Sequence, residues 1–140
     1  MAALTLTIVT PDREVVRDEV VSLVLAPSID GQVGILPGHA PLVTSLAAGT
    51  LEIRRDGSSG YLSVIGGFME VMNNNVVVLA EASEYAEDID NARAERARDN
   101  SEQDLSVARQ TGDQDLRMRA HQALSRAKAR LQTTERARGV

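Results

Sequence analysis

The chain offers few side chains able to do chemistry. It has no cysteine, which excludes disulfides, thiolate metal sites and a cysteine nucleophile. Its two histidines, His39 and His121, lie in different segments, so neither a histidine-rich metal site nor a Ser-His-Asp arrangement is expected. Carboxylates and guanidiniums remain. Asp90 and Arg93 stand three apart in "IDNARA", on one face of a helix; taken alone they read as a capping acid with an intrahelical ion pair worth a few tenths of a kcal/mol. Arg126 and Arg130 stand four apart, a like-charge pair that repels in an isolated helix and that a bound anion would relieve. There is no G-x-x-x-x-G-K-[ST] loop and no cluster of carboxylates suited to Mg²⁺. A nucleotide held by such residues would act as a signal and would not be turned over, so no enzyme is expected.

The elements that must position these groups change character near "EYAEDIDNARAERA", Glu84 to Ala97. Before it, apolar residues mostly alternate. "LTLTIV" sets Leu4, Leu6 and Ile8 on one face, as in a half-buried strand. "TPDRE" reads as a turn, and "VVSLVLA", Val20 to Ala26, as a β-branched strand. "PSIDGQVG" breaks that strand, "TLEIRR" alternates again, and "DGSSG" reads as a hairpin turn. "YLSVIGGFMEVMNNNVVVLAEA" reads as three strands divided by Gly66-Gly67 and by Asn73 to Asn75. Eight to ten short strands with frequent turns predict an antiparallel sandwich or flattened barrel. "GILPGHAP", Gly34 to Pro41, reads as a rigid turn between sheets, with His39 a structural hydrogen-bonding residue.

From about Asp88 the pattern turns helical, with Asp88 as N-cap and Asp90 in the first turn. This helix runs through Ala92, Ala97, Leu105 and Ala108 to about Gln110. Gly112 supplies the C′ turn and Asp113 caps a second helix carrying Leu116, Ala120, Ala123, Leu124, Ala127 and Leu131. Two helices with a short connection predict an antiparallel hairpin. Its seam is mostly alanine, which buries on the order of a third to a half of the apolar area of leucine. Each helix is therefore intrinsically good, while the contact between them is weak. Opened end to end, about 50 residues would span about 75 Å.

Charge is unevenly spread. Residues 1–87 hold 4 basic and 11 acidic residues, whereas residues 116–140 hold seven basic residues against Glu135 alone. A basic terminal helix on an acidic body predicts an acidic partner. Nucleic acid is disfavoured by the acidic body and by the presence of only three aromatics, Tyr61, Phe68 and Tyr85. No run approaches the roughly 18 apolar residues of a membrane span, and "MAALTLTIVT" lacks the basic and apolar regions of a leader. A soluble intracellular protein, able to sit on a membrane-bound partner, is expected.

"GQVGILPGHAPLVTSLAAG", "VIGGFMEV", "NNVVVLAEAS", then "DIDNARA" and an Ala/Arg hairpin resemble, in that order, the epsilon subunit of F-type ATP synthases. The resemblance covers essentially the whole chain. It implies a ten-stranded β-sandwich over residues 1–86 that binds the gamma subunit and the c-ring. A two-helix regulatory domain over residues 87–140 is implied to follow. It also implies a non-catalytic rotor subunit on the cytoplasmic face of the bacterial plasma membrane, or of a thylakoid. The mobile helices would rise along gamma into the alpha/beta head and inhibit ATP hydrolysis. No direct membrane insertion and no required cofactor are implied, with ATP as a regulatory ligand. A free-standing ATP-sensing protein is the alternative.

The same resemblance implies site residues. Gly31 and Gln32 would contact the c-ring. Arg117, Arg126, Lys128 and Arg130 would meet an acidic segment of the beta subunit. Glu84, Ile89, Asp90, Arg93, Ala94, Arg126 and Arg130 would line a nucleotide site, with Asp90 at the adenine or ribose edge and the arginines at the phosphates. A further arginine expected near residue 100 is absent, since the position is Asn100; Arg96 and Arg98 lie nearby but out of register.

Overall fold

A computed structural model describes residues 3–139. Ten strands form two five-stranded sheets. The first runs in the order β2 (Glu14–Val21), β1 (Leu4–Val9), β9 (Asn75–Leu79), β8 (Phe68–Met72), β5 (Leu42–Ser45). The second runs β10 (Ala82–Tyr85), β7 (Ser58–Ile65), β6 (Gly49–Arg55), β3 (Leu23–Ser28), β4 (Gly31–Ile35). All ladders are antiparallel except β1 with β9, which is parallel. That pairing departs from the wholly antiparallel expectation, because β1 and β9 come from distant parts of the chain and only tertiary folding sets them side by side.

Alternation in β1 buries Leu4, Leu6 and Ile8 completely. They pack between the sheets with Val24, Ile35, Leu51, Ile53, Leu62, Val64, Met69, Val71, Val76 and Val78. Aliphatic side chains thus build the core almost alone, as the scarcity of aromatics requires. Three segments differ from the sequence reading. "VVSLVLA" is not one strand: Val20 and Val21 end β2, Ser22 bends, and Leu23 to Ala26 lie in β3. "EVVRDEVV" forms the long strand β2, its charges on the solvent side and Asp18 at a positive φ of 46°. "PSIDGQVG" is less of a break than expected: Pro27 and Ser28 end β3, Gly31 begins β4, and only Ile29–Asp30 turn. The Gly66-Gly67 step is dictated by space. A Cβ at Gly67 would lie 1.9 Å from the Leu79 carbonyl oxygen, a distance no side chain tolerates. The "GILPGHAP" segment does carry the chain between sheets, from β4 to β5. His39 donates its backbone N–H to Leu36 and sets Nδ1 2.6 Å from the Ala40 carbonyl.

A 3-10 turn over Ala86–Asp88 leads to α1 (Asn91–Thr111) and α2 (Gln114–Ala137). The N-cap of α1 is Asp90, not Asp88: Ile89 and Asp90 are both extended, so helical geometry starts only at Asn91. Asp90 accepts the Arg93 backbone N–H at 3.1 Å, and the two side chains do not form the ion pair read from their spacing. Gly112 ends α1 in the left-handed region, and Asp113 caps α2 by accepting from Leu116 N–H at 3.0 Å. Buried positions on α1 are Ala94, Ser101 and Ala108, seven apart; Ala120, Ala127 and Thr134 repeat at the same interval on α2. Ala92 and Ala97, expected in the seam, face solvent. Methyls and hydroxyls fill the centre of the interface, which lets the helices approach closely, and half-buried Leu105, Leu116, Leu124 and Leu131 flank it.

Helix α2 lies over β6 and β7 of the second sheet. This is why five consecutive residues of β6, Gly49 to Ile53, are buried on both faces. Among the described residues no helix is long and apolar enough to cross a membrane.

Candidate functional site

A cleft of about 570 Å³ opens where the hairpin meets one end of the sandwich. Strand β10, both helices, the linker residue Asp88 and the β1–β2 turn wall it. Strand β10 contributes Ala82, Ser83 and Glu84; the start of α1 contributes Asp90, Arg93, Ala94 and Ala97; α2 contributes Arg130. Five of the seven residues assigned to a nucleotide site, Glu84, Asp90, Arg93, Ala94 and Arg130, therefore share one cavity although they span 46 positions of chain. The other two lie elsewhere. Ile89 turns toward a separate pocket of about 310 Å³ beside Thr134 and Ala137, and Arg126, one turn before Arg130 on α2, is exposed outside the cleft lining. Asn100, Arg96 and Arg98 do not reach the cleft either, and Arg98 pairs with Asp99 at 3.2 Å.

The cleft's cations are not equivalent. Arg130 Nε donates to Glu84 Oε1 at 2.8 Å, with both side chains about one-third exposed. The Arg93 guanidinium makes no ion pair among the described residues. A third arginine, Arg13, comes from the β1–β2 turn together with Thr10 and Asp12. In the sequence "TPDRE" reads only as a turn. No local signal marks these residues, because their place beside β10 and α1 is set by the tertiary arrangement of β1 and β2.

A second constellation lies beneath α2. The Thr50 and Thr133 hydroxyls are 2.8 Å apart, and Thr50 also reaches Gln132 Oε1 at 3.3 Å. Arg136 Nη2 donates to Glu52 Oε1 at 2.7 Å, while Arg54 Nε holds the other carboxylate oxygen at 3.1 Å. The Arg136 guanidinium also stands over the Tyr61 ring, 5.8 Å from its centre, a cation–π distance. Thr134 donates to Asn91 Oδ1 at 2.8 Å, tying the end of α2 to the start of α1. Glu52 is buried, its side chain 9% exposed, so the docked helix supplies part of the charge that makes its burial tolerable. Two of the basic residues of α2 are thus engaged by the sandwich's own acids, whereas Arg117, Arg126 and Lys128 project into solvent.

Below the linker, Glu19 of β2 pairs with Arg55 of β6, and Tyr85 of β10 donates to Glu19 Oε2 at 3.4 Å. The trio stitches the two sheets together at the root of the hairpin. Partial burial, then the neighbouring Glu19 carboxylate, raises the Tyr85 pKa above its usual value. The hydrogen bond to Glu19 raises that of Arg55.

Two surfaces remain. Gly31 and Gln32 sit, exposed, just past the tip of the β3–β4 hairpin, beside exposed Ile29. On the first sheet, the face away from the core carries Val43 (69% exposed), Phe68 (57%), Leu79 (54%) and Met72 (48%). Register places Phe68 directly opposite Leu79, and Leu79 opposite Val9. Glu70 interrupts this face between Phe68 and Met72, opposite Val43; an exposed apolar cluster of this size is a candidate interaction surface. Among the described residues no group of three or more His, Asp or Glu is placed to hold a metal ion.

Comparison with known proteins gives a consistent result. Residues 3–86 match the family model of the ATP synthase delta/epsilon chain β-sandwich domain, and residues 87–135 match that of its long α-helix domain. The chain is 44% identical over 131 residues to the ATP synthase epsilon chain of Symbiobacterium thermophilum, covering 94% of this chain and 92% of the relative. It is 50% identical over 101 residues to that of Pelotomaculum thermopropionicum, covering 72% and 75%. In fold it is similar to a chain of the Euglena gracilis mitochondrial ATP synthase structure. The TM-score is 0.82 at 23% identity, over 100% of this chain and 83% of the other.

Proposed function

The chain belongs to the ATP synthase delta/epsilon-chain family, and from that membership we propose a non-catalytic central-stalk subunit of a proton-translocating synthase. In this reading it couples gamma to the c-ring on the cytoplasmic face of the membrane. Its helices restrain ATP hydrolysis when they leave the sandwich, and ATP in the cleft is a regulatory ligand. The observation that carries the reading is the outward apolar face of the first sheet, centred on Phe68 and Leu79. A free-standing ligand sensor has no need of such a face, whereas a subunit gripping gamma does.

The Arg130–Glu84 and Arg136–Glu52 pairs support the restraint mechanism. Hairpin release frees two guanidiniums at once, adding them to Arg117, Arg126 and Lys128 as a surface for an acidic segment of the beta subunit. The exposure of Gly31 and Gln32 near a hairpin tip supports assigning them the ring contact in this reading.

Size-exclusion chromatography with the gamma subunit tests the reading. A one-to-one complex is expected, and Phe68→Glu with Leu79→Glu is expected to weaken it at least about tenfold, since each swap removes apolar burial and desolvates a charge. No complex with the unaltered chain would leave the sensor reading standing instead.

A further inference from the structure

We propose that Arg13, on the sandwich side of the cleft, is an anion-binding residue, so that a polyphosphate ligand is gripped by the sandwich and the hairpin at once. The inference rests on the cleft being a nucleotide site. Four carboxylates line it, Asp12, Glu84, Asp88 and Asp90, against three guanidiniums, Arg13, Arg93 and Arg130. Arg130 is already held by Glu84, and the arginine anticipated near residue 100 is Asn100. On the hairpin side this leaves one uncommitted cation, Arg93. A triphosphate carries about four negative charges near neutral pH, and a single exposed guanidinium among carboxylates does not balance them.

Arg13 is the remaining cation on the cleft wall, and its geometry suits the task. Its backbone is fixed in the β1–β2 turn by three bonds to Thr10: Thr10 N–H donates to the Arg13 carbonyl at 2.9 Å, the Thr10 hydroxyl donates to the same carbonyl at 3.2 Å, and Arg13 N–H donates to that hydroxyl at 3.3 Å. Its guanidinium makes no ion pair or hydrogen bond among the described residues. The base of the side chain is held, and its charged end is free to close on a ligand. Because Arg93 belongs to α1 and Arg13 to the sandwich, a phosphate chain bridging them ties the two domains together.

Calorimetric titration of the full chain with MgATP, and separately with adenosine, tests this. Arg13→Ala is expected to weaken ATP binding about tenfold, the worth of one charge-assisted bond, and to leave adenosine binding unchanged. Arg13→Lys keeps part of the affinity. Arg17→Ala, at an exposed β2 residue paired with Glu14 at 3.6 Å outside the cleft, leaves it intact. Arg13 enters the turn bonds only through its own main chain, so the variant is expected to fold, which circular dichroism checks. If the unaltered chain binds ATP and Arg13→Ala binds it equally well, the assignment of Arg13 is wrong and the nucleotide reading survives. If the unaltered chain binds neither ATP nor adenosine at millimolar concentration, the nucleotide reading fails and this assignment fails with it.

Discussion

Arg136, in the last turn of α2, closes over the buried carboxylate of Glu52 at 2.7 Å. Neither residue is near the cleft or the hairpin loop, yet together they decide how firmly the second helix rests on the sandwich. Alongside lie the Thr50–Thr133 hydroxyl contact and, farther along α2, the Glu84–Arg130 pair. The hydroxyl contact is buried, whereas the guanidiniums of the two ion pairs are about one-third exposed, which keeps those pairs specific in geometry but modest in strength.

Removing the Arg136 side chain should loosen α2 without unfolding the sandwich. Arg136→Ala leaves Glu52 with Arg54 alone, and a loss of about 1–3 kcal/mol in docking is expected after discounting for partial exposure. Hydrogen exchange across α2 is expected to quicken about tenfold or more, while β1, β6 and β7 keep their protection. Equal acceleration in the strands would mean that Arg136 supports the whole fold.

Neutralising the solvent-facing cations should act in the assembled enzyme and not in the isolated chain. Arg117→Gln, Arg126→Gln and Lys128→Gln together are expected to raise ATP hydrolysis about three- to tenfold and to flatten its dependence on salt, because exposed ion pairs contribute about 0.2–1 kcal/mol each and are screened. Melting of the isolated variant is expected to stay unchanged. Adding Arg130→Gln tests a different balance, since it also undoes the Glu84 contact. Unaltered hydrolysis in the triple variant would rule out the basic face as the inhibitory contact.

Nucleotide in the cleft should stabilise the closed hairpin by mass action. At about 100 times the dissociation constant, ATP is expected to add about 2.7 kcal/mol, read as slower exchange in α1 and α2. Arg93→Ala should abolish most of the gain. Protection confined to the sandwich would place the ligand away from the hairpin.

Alkaline pH should weaken the junction between the sheets. The Tyr85 phenol is harder to ionise in the folded chain, so its contribution is complete below the unfolded value of about 10 and is lost as pH rises through the folded value. Urea midpoints are expected to fall above about pH 10, and Tyr85→Phe to show a shallower fall. Parallel curves would assign the alkaline loss to other groups.

Much of the sandwich was readable because Leu4, Leu6 and Ile8, or Val76 and Val78, keep strict alternation over one buried face. Strand β2 was not, since Arg17, Asp18 and Glu19 interrupt its apolar pattern; β5 has only four residues behind Pro41. The hairpin and its Gly112–Asp113 junction were legible from local chemistry alone. Glu52 was not, because alternation in "TLEIRR" assigns it to the solvent face, and only the presence of α2 above that face buries it. The clustering of Glu84, Asp90, Arg93, Ala94 and Arg130 came from family resemblance, not from periodicity. Arg13 escaped both routes, since nothing in a turn sequence tells which distant helix it will face.

The heptad spacing of Ala94, Ser101 and Ala108 against Ala120, Ala127 and Thr134 bears on what happens after the helices part. Each newly wetted stripe holds mainly methyl and hydroxyl groups, with half-buried Leu105, Leu116, Leu124 and Leu131 along its edges. Because small groups fill the centre of the stripe and leucines only its edges, an undocked arm wets less bulky apolar surface than a leucine-centred seam of the same length would.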